Sequence, residues 1–201
     1  MINSQLINTA FFTNKHDDWD PDEGPFLINN KKYKIITMDQ THSEIITTVN
    51  SFKNKYKSDG LYTEKNGKIL CVKTADCIPI LISTKKGIAV IHAGWRGLSK
   101  GILKSFFDCY EYSAVDTKVT IGPHARTCCY EVTKEMSEVF PAYVYKKNTA
   151  YYLDMSLFVR DYLNKVNIKF EDTGVCTICD EDYHSYRRDG TNKRQYSFIC
   201  L

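Results

Sequence analysis

The stretch T-A-D-C-I-P at residues 74–79, together with H-A-G-W-R-G at residues 92–97, decides the fold of this chain. Between the two motifs lie the β-rich runs Ile78 to Ser83 and Ile88 to His92, separated by a Lys-Gly turn. Two such runs joined by a short turn that contains glycine are typical of a β-hairpin. We therefore expect Cys77, just before the first run, and His92, at the end of the second, to meet at neighbouring strand ends.

Further β-rich runs lie on both sides of this pair. They are Tyr33 to Met38, Glu44 to Val49, Leu61 to Thr63, Ile69 to Lys73, Lys118 to Ile121, Tyr151 to Asp154, Ile168 to Glu171 and Gln195 to Leu201. The runs Leu61 to Thr63 and Ile69 to Lys73 flank Asn66-Gly67, and an Asn-Gly pair suits the tight turn of a hairpin. We therefore predict a second hairpin at this position.

Hydrophobic periodicity predicts few helices. Apolar residues recur at helical spacing from Leu98 to Tyr110, and shorter helices are predicted from Glu131 to Phe140 and from Ser156 to Val166. Since strands dominate and do not alternate regularly with helices, the predicted fold class is α+β, with mixed, largely antiparallel β-sheets flanked by helices. A length of 201 residues suits one domain that spans residues 1–201.

Composition and charge exclude several classes of protein. The formal net charge is only +3 and no basic stripe is clustered, which argues against nucleic acid as a partner. The apolar runs are too short to span a bilayer, and residues 1–10 lack the pattern of a signal peptide. We therefore expect a cytosolic protein with no membrane partner, whose eight cysteines remain thiols. The acidic segment 17–25, which carries two prolines, is predicted to be a surface loop.

Three residues at predicted strand ends form a candidate metal site. His42, Cys77 and His92 offer two imidazoles and one thiolate, and a catalytic zinc usually keeps three protein ligands and one open position. Each residue also has a structural interpretation, because a lone cysteine often fills apolar space and a lone histidine is often only hydrogen-bonded. The glycine-flanked Trp95-Arg96 pair beside His92 favours a ligand site, since glycines let the backbone approach a ligand.

A second metal site is conceivable near the C-terminus. Cys176 and Cys179 form a C-x-x-C pair, but a structural zinc site needs two more ligands. Cys128-Cys129 or His184 could supply them, although no spacing requires it. The segment from Val175 to Cys179 has the composition of a strand, and we interpret its cysteines as buried or pocket-lining residues.

Several motifs together resemble one known family. They are Asp59-Gly60-Leu61, the motifs at 74–79 and 92–97, Ile121-Gly122-Pro123 with Tyr130-Glu131-Val132, and Ser185-Tyr186-Arg187-Arg188-Asp189-Gly190. From about Lys31 to the C-terminus the chain resembles the YfiH or laccase-domain family, also called multicopper polyphenol oxidase-like proteins. The family's Q-x-H-G segment matches Gln40 to Ser43, with serine in place of glycine. The resemblance implies a layered α/β sandwich and zinc on His42, Cys77 and His92.

The resemblance also implies an activity. Family members are described as purine nucleoside phosphorylases that cleave adenosine, inosine, guanosine or methylthioadenosine with phosphate, and as adenosine deaminases. Older descriptions called them copper-dependent laccases. This chain has only five histidines, which argues against a true multicopper enzyme, because such sites need many histidine ligands. A phenol-oxidising side activity with bound copper stays open.

Candidate substrate-binding residues surround the ligand set. We expect Arg96 to bind phosphate, with Arg188 and Arg194 as second candidates, because a guanidinium matches phosphate oxygens. Asp76 is expected to orient a ligand histidine or to move a proton, and Cys77 is counted with the catalytic residues. Further substrate contacts are predicted for Gln40 and for Trp95 and Tyr130, whose rings could stack on a purine. The structural alternatives are ion pairs, a turn hydrogen bond and core aromatics.

Two rival functions use the same residues. Cys77 could be a thiolate nucleophile activated by His92 or His42, which would give a cysteine hydrolase. The family has also been linked to editing of peptidoglycan precursors that carry L-serine, which fits an amidase. The other rival is a non-catalytic zinc-binding module. We expect a monomer or a small homo-oligomer.

The chain also departs from the family pattern in two places. The family's Gly-rich G-G-V-S stretch is replaced by the acidic segment within 13–25, and its T-G-R motif is replaced by Thr191 to Arg194. The resemblance therefore does not predict which residues of these two segments contact the substrate.

Overall fold

The computed structural model describes residues 1–17, 21, 26–28, 31–50 and 55–201. The strands are β1 (Ile2–Asn3), β2 (Ala10–Phe12), β3 (Phe26–Ile28), β4 (Lys31–Ile36), β5 (Met38–Asp39), β6 (Ile46–Thr48), β7 (Tyr56–Lys57), β8 (Gly60–Thr63), β9 (Lys68–Thr74), β10 (Ile78–Ser83), β11 (Ile88–Ala93), β12 (Lys118–Ile121), β13 (Glu131–Val132), β14 (Val144–Lys147), β15 (Ala150–Leu153), β16 (Lys169–Asp172) and β17 (Gln195–Cys200). The helices are α1 (Trp95–Ser99), α2 (Ile102–Cys109), α3 (Met136–Val139), α4 (Met155–Lys165) and α5 (Tyr186–Asp189). The predicted loop at 17–25 lies largely outside the described residues.

Two six-stranded sheets dominate the fold. The first has the order β1-β2-β17-β9-β4-β3 and the second has the order β16-β12-β10-β11-β8-β6. Within these two sheets most neighbouring strands are antiparallel, whereas β4–β9, β6–β8 and β12–β16 are parallel. Smaller sheets are formed by β13-β15-β14 and by β5-β7. The predicted α+β class with mixed, largely antiparallel sheets is confirmed.

The second sheet is buried on both faces. Because successive side chains of a strand point to opposite faces, Leu81 and Val90 belong to a core cluster shared with Leu70 of the first sheet. Ile80 of the same strand belongs to a second cluster, which contains Phe106 and other apolar residues of the helices. The layers are therefore sheet, sheet and helices, and both faces of β10 and β11 are apolar.

Of the two predicted hairpins, only the one at 78–93 is confirmed. β10 pairs antiparallel with β11, and Pro79 lies opposite His92. The hairpin predicted at Asn66-Gly67 is wrong, because β8 joins the second sheet and β9 joins the first. Gly67 has a φ of 73°, so the chain turns there as expected, but it crosses between the layers.

The helix predicted from Leu98 to Tyr110 is interrupted. It forms α1 and α2, separated at Gly101, whose φ of 89° is left-handed. The predicted apolar face is nevertheless buried, including Leu98 and Phe106.

The remaining helix predictions have mixed outcomes. The helix predicted from Glu131 to Phe140 shrinks to α3, because its first residues pair with β15 as β13. The helix predicted from Ser156 to Val166 is confirmed as α4, where the Asp154 carboxylate accepts the N–H of Leu157 as an N-cap.

The strand predicted from Val175 to Cys179 is also wrong. Only an isolated bridge between His124 and Cys176 is extended, and the chain then turns so that the N–H of Asp180 donates to the Cys176 carbonyl. Within the part of the chain that the structure describes, no helix is long and apolar enough to cross a membrane.

Candidate functional site

The three predicted ligands meet at the edge of the central hairpin. Cys77 directly precedes β10, His92 lies near the end of β11, and His42 lies in the loop after β5. Their ligand atoms all lie within 4.8 Å of one another, and Cys77 Sγ is 3.8 Å from His42 Nε2. The two imidazole rings meet edge to face with centroids 4.7 Å apart. The three side chains open into a pocket of about 570 Å³.

A buried carboxylate holds the His42 loop in place. Asp59 accepts backbone N–H bonds from Thr41 at 3.1 Å, His42 at 2.9 Å and Ser43 at 2.6 Å. The Ser43 hydroxyl donates to the same carboxylate at 2.7 Å. His42 itself adopts a left-handed φ of 59°, which is uncommon for a residue other than glycine. These bonds hold the backbone in this turn and place the imidazole against Cys77.

The same carboxylate orients the second histidine. Asp59 Oδ1 lies 2.7 Å from His92 Nδ1, and both side chains are almost completely buried. A carboxylate at Nδ1 favours a proton on that nitrogen, so Nε2 is the nitrogen that remains for a ligand. Sequence reasoning quoted Asp59 within a family motif but gave it no role, although an acidic residue before a glycine and a strand was a usable signal.

The orienting role that we expected for Asp76 therefore belongs to Asp59. The carboxylate of Asp76 accepts the Thr177 hydroxyl at 2.8 Å and the N–H of Arg187 at 2.7 Å. Asp76 has a φ of 85° and lines the pocket beside Cys77. It thus ties the C-terminal segment to the ligand loop, and its expected part in proton transfer stays a prediction.

Cys77 and His92 of the ligand set form a charge-separated pair. Burial raises the pKa of Cys77, but the charge of His92 and the hydrogen bond from His42 outweigh it and lower that pKa to about 6. Burial lowers the pKa of His92, but the charges of Cys77 and Asp59 and their hydrogen bonds raise it to about 9. Burial also opposes ionisation of Asp59, yet hydrogen bonds from His92 and Ser43 hold its pKa well below the usual range. Near neutral pH the pair is therefore a thiolate and an imidazolium.

The donor set fits a divalent zinc ion. Zinc binds imidazole nitrogen and thiolate sulfur, and a tetrahedral ion would separate such a pair by about 3.6 Å, close to the observed 3.8 Å between Cys77 and His42. A Cβ on Gly94 would lie 2.9 Å from Cys77 Sγ and 3.0 Å from His42 Cδ2. Glycine in the H-A-G motif therefore leaves the space that the three side chains need.

The pocket wall beyond the ligands is cationic and aromatic. Lys73, Arg96, Arg187 and Arg194 all line it. The guanidinium of Arg96 lies 4.5 Å from the centre of the Trp95 ring. A cation over an aromatic face is stabilised by the ring, and the N–H groups at the edge of the guanidinium can still donate hydrogen bonds to a ligand. The wall is therefore suited to an anion next to a flat ring.

Tyr130 and Arg187 form a second pair of this kind. The Arg187 guanidinium lies 5.2 Å from the Tyr130 ring and also donates to the Glu131 carbonyl at 2.7 Å. Burial raises the pKa of Tyr130 to about 12, so it stays a neutral phenol. Sequence reasoning missed Arg187, because only the contacts of the folded chain distinguish it from its neighbour Arg188.

Arg188 is not among the residues that line the pocket, although we expected it to bind phosphate. Its guanidinium donates to the carbonyls of Thr177, Ile178, Asp180 and Tyr183 and pairs with Asp189. These bonds engage its donors within the loop at 177–183. Arg187, and not Arg188, is therefore the arginine of this pair that lines the pocket.

Gln40 and Arg194 line the pocket but are also bound to the backbone. The Gln40 amide exchanges two hydrogen bonds with the backbone of Lys73, at 2.7 and 2.9 Å. Arg194 donates to the carbonyls of Thr191 and Lys193. Both side chains therefore shape the wall, and their contacts with a substrate stay predictions.

Several known proteins are similar to this chain in sequence. A family model described as multi-copper polyphenol oxidoreductase laccase matches residues 27–201. A purine nucleoside phosphorylase of Clostridium acetobutylicum is 35% identical over 174 residues, which cover 80% of this chain and 74% of that protein. One from Aquifex aeolicus is 32% identical over 176 residues, 85% of this chain and 84% of that protein. The purine nucleoside phosphorylase YfiH of Escherichia coli is 30% identical over 189 residues, 88% of this chain and 77% of that protein.

Solved structures share the fold. The hypothetical protein YfiH of Bacillus licheniformis superposes with a TM-score of 0.75 and 27% identity, over 83% of this chain and 74% of that one. YlmD of Geobacillus stearothermophilus superposes with a TM-score of 0.74 and 27% identity, over 83% of this chain and 73% of that one.

The charged pair predicts how Cys77 reacts in the metal-free protein. Because the thiolate is the reactive form, alkylation of Cys77 should rise with pH through a midpoint near 6, below the value of about 8.5 for an ordinary thiol. Asp59→Asn removes a charge that favours the His92 imidazolium, so the midpoint should move to higher pH. Mass spectrometry of the Cys77 peptide after timed alkylation measures it.

Asp116→Asn, at an exposed position, serves as the matched control and should leave the midpoint in place. Circular dichroism checks that each variant is folded. A midpoint near 8.5 in the parent protein, or one that Asp59→Asn does not move, would contradict the charged pair.

Proposed function

The chain belongs to the multi-copper polyphenol oxidoreductase laccase family, and from that premise we propose that it is a zinc-dependent purine nucleoside phosphorylase. The observation that carries the proposal is one pocket in which an open Cys–His ligand set lies beside cationic and aromatic walls. The activity for which the relatives from Clostridium, Aquifex and Escherichia are named supports it. The substrates proposed are adenosine, inosine, guanosine and methylthioadenosine, together with inorganic phosphate.

The aromatic part of the pocket suits a purine base. Trp95 and Tyr130 both line it, each paired with an arginine, and a flat base can stack against such guanidinium–aromatic pairs. A volume of about 570 Å³ lies within the range for small-molecule sites. The base is therefore assigned to the neighbourhood of Trp95 and Tyr130.

The cationic part suits phosphate. Arg96 and Arg187 carry guanidinium groups at the rim, and Lys73 adds a further charge in the lining. Charge-assisted hydrogen bonds to phosphate oxygens are strong, and a guanidinium can donate two of them in parallel. Arg96 is exposed on the first turn of α1, so it can reach an incoming anion.

His42, Cys77 and His92 would hold the zinc ion. When bound, zinc supplies Lewis acidity at the position that the protein leaves open. The same donors accept copper, so copper binding in vitro and a weak phenol oxidation are compatible with this set. Adenosine deamination is a second activity proposed for the pocket, and it would need the purine ring, in place of the ribose, next to water at the ligand set.

The protein residues have distinct parts in phosphorolysis. Arg96 and Arg187 bind phosphate and bring one of its oxygens to the anomeric carbon of the ribose. The new carbon–oxygen bond forms as the bond from that carbon to the purine nitrogen breaks, and the purine keeps the electron pair. Asp76, in the lining beside Cys77, is assigned the transfer of a proton from the attacking phosphate to the departing base, so the proton that the phosphate loses ends on the purine.

A second candidate function rests on the thiolate. Cys77 has a pKa lowered to about 6 and contacts both histidines, which is the environment of a nucleophilic cysteine. In that case the metal-free protein would cleave an amide or ester, such as an L-serine-containing peptidoglycan precursor. A purely structural zinc module is less well supported, because structural sites usually have a fourth protein ligand.

The setting proposed for this activity is the cytosol, where a reducing environment keeps Cys77 a thiol. One chain supplies every residue named in the pocket, so a monomer or small homo-oligomer is sufficient. Pairing of β2 with β17 joins the two ends of the chain in one sheet, which supports a single domain over 1–201.

In the direct test, protein whose zinc content has been measured is incubated with inosine or adenosine and phosphate. We expect free base and ribose-1-phosphate in equal amounts, detected by chromatography. Cys77→Ala and removal of zinc should each abolish the reaction, and zinc should restore it in the parent protein only. Absence of base release from zinc-loaded protein would sink the phosphorylase proposal. Cleavage of an amide or ester substrate that survives metal removal but is lost in Cys77→Ser would support the cysteine hydrolase instead.

Arg96→Gln tests the phosphate site. Since it removes a charged donor from the rim, it should raise the KM for phosphate by about tenfold or more while the KM for the nucleoside changes little. Initial rates at varied phosphate measure this. Lys100→Gln is the control, because Lys100 is an exposed cation next to α1 that is not among the pocket residues. Equal KM values for Arg96→Gln and Lys100→Gln would remove Arg96 from the phosphate site.

A further inference from the structure

Four cysteines far apart in sequence form a second cluster of sulfurs. Cys128, Cys129, Cys176 and Cys179, here called the four-cysteine cluster, have Sγ atoms that all lie within 4.8 Å of one another. Cys179 Sγ is 3.3 Å from that of Cys128 and 2.9 Å from that of Cys129. We expected Cys176 and Cys179 to be buried or to line the pocket; Cys176 is buried, whereas Cys179 is exposed and is not among the pocket residues.

The sheet topology explains why these sulfurs meet. β12 and β16 are parallel neighbours, so the loops that follow them leave the same edge of the second sheet. The N–H of His124 donates to the Val175 carbonyl at 3.3 Å, and the N–H of Thr177 donates to the His124 carbonyl at 3.0 Å. Backbone bonds thus join the two cysteine-bearing loops without any help from the sulfurs.

Two arginines hold the loops around the cluster. Arg126 forms a two-pronged ion pair with Asp172, at 2.7 and 3.2 Å, which connects the first loop to the end of β16. The guanidinium of Arg188 donates to carbonyls of Thr177 and Ile178, which lie between the cysteines of the second loop. The positions of the cysteines are therefore set by the surrounding fold.

We propose that the four-cysteine cluster binds one structural zinc ion through four thiolates. Zinc bound by four cysteines is tetrahedral with bonds of about 2.3 Å, so its sulfurs stand about 3.8 Å apart. The four sulfurs lie within 4.8 Å of one another, and those of Cys128 and Cys129, at 3.3 and 2.9 Å from Cys179, would move apart to admit the ion. Four protein ligands close the site, which makes its role structural. The ligands come as two pairs, Cys128-Cys129 and the C-x-x-C pair.

The backbone around Cys176 supports a metal ligand. The N–H of Arg126 donates to Cys176 Sγ at 3.5 Å, and the N–H groups of Ile178 and Cys179 also approach this sulfur. Amide donors toward a ligand sulfur are the kind of outer contact that orients metal ligands.

A disulfide explains the cluster less well. Cys179 contacts two sulfurs, those of Cys128 and Cys129, and it could bond covalently to only one of them. A shared ion satisfies all four cysteines at once.

The site would brace one wall of the main pocket. Tyr130, a pocket residue, directly follows Cys129, and the carbonyl of its other neighbour, Glu131, accepts a bond from Arg187. An ion that connects the two loops should therefore keep Tyr130 in position. The proposal does not depend on the identity of the substrate.

The experiment uses a Cys77→Ser background, so that thiolate signals from the first site are removed. After purification without chelators, we expect about one zinc ion per chain, and replacement by Co²⁺ should give the sulfur-to-metal charge-transfer band of a tetrahedral thiolate site. Adding Cys176→Ser and Cys179→Ser should abolish both the metal and the band. Adding Cys109→Ser should change neither, since Cys109 is an exposed cysteine outside the cluster.

A separate variant protects the test against misfolding. Cys179→His replaces one thiolate by another zinc ligand, so it should keep the ion and weaken the band. Three results would overturn the proposal. They are equal metal content with and without Cys176→Ser and Cys179→Ser, no thiolate band in the Cys77→Ser parent, or an intact mass two hydrogens lower that reveals a disulfide in the cluster.

Discussion

The rest of the site depends on the bond between the buried carboxylate of Asp59 and His92. A buried charge is costly unless it is paired and hydrogen-bonded, and Asp59 meets that requirement with His92 and with the loop around His42. Both histidines of the ligand set are thereby positioned by one group. Removal of the carboxylate would leave the loop amides and the imidazolium without their acceptor. The electrostatic pairing of His92 with Cys77 follows from the same arrangement.

Much of the fold and the ligand set could be predicted from short-range patterns. The hairpin of β10 and β11 is local in sequence, and its two motifs put Cys77 and His92 at adjacent ends. Which strand a given strand pairs with is not a local property. Asn66-Gly67 therefore predicted a turn correctly, but β8 and β9 on either side of it join different sheets instead of pairing with each other. The difference between Arg187 and Arg188 depends on which carbonyls each guanidinium meets, and the sequence carries no signal for that.

The C-terminal segment connects the two proposed metal sites. Asp76, next to the ligand Cys77, accepts bonds from Thr177 and from the backbone of Arg187, while Arg188 braces the loop that carries Cys179. The sequence offers all four cysteines as possible ligands but does not require them to meet, because the two pairs are about fifty residues apart and come together only through the parallel β12 and β16. The segment from Thr177 to Arg188 thus contributes both to the pocket wall and to the four-cysteine cluster.

The most direct measurement is a crystal structure of the zinc-loaded protein, with anomalous diffraction recorded on both sides of the zinc absorption edge. We expect an anomalous peak next to Cys77 Sγ, His42 Nε2 and His92 Nε2, with Asp59 on His92 Nδ1 and a fourth position that no protein atom fills. A fourth protein ligand on this ion, coordination through His92 Nδ1, or no peak between these three residues would contradict it.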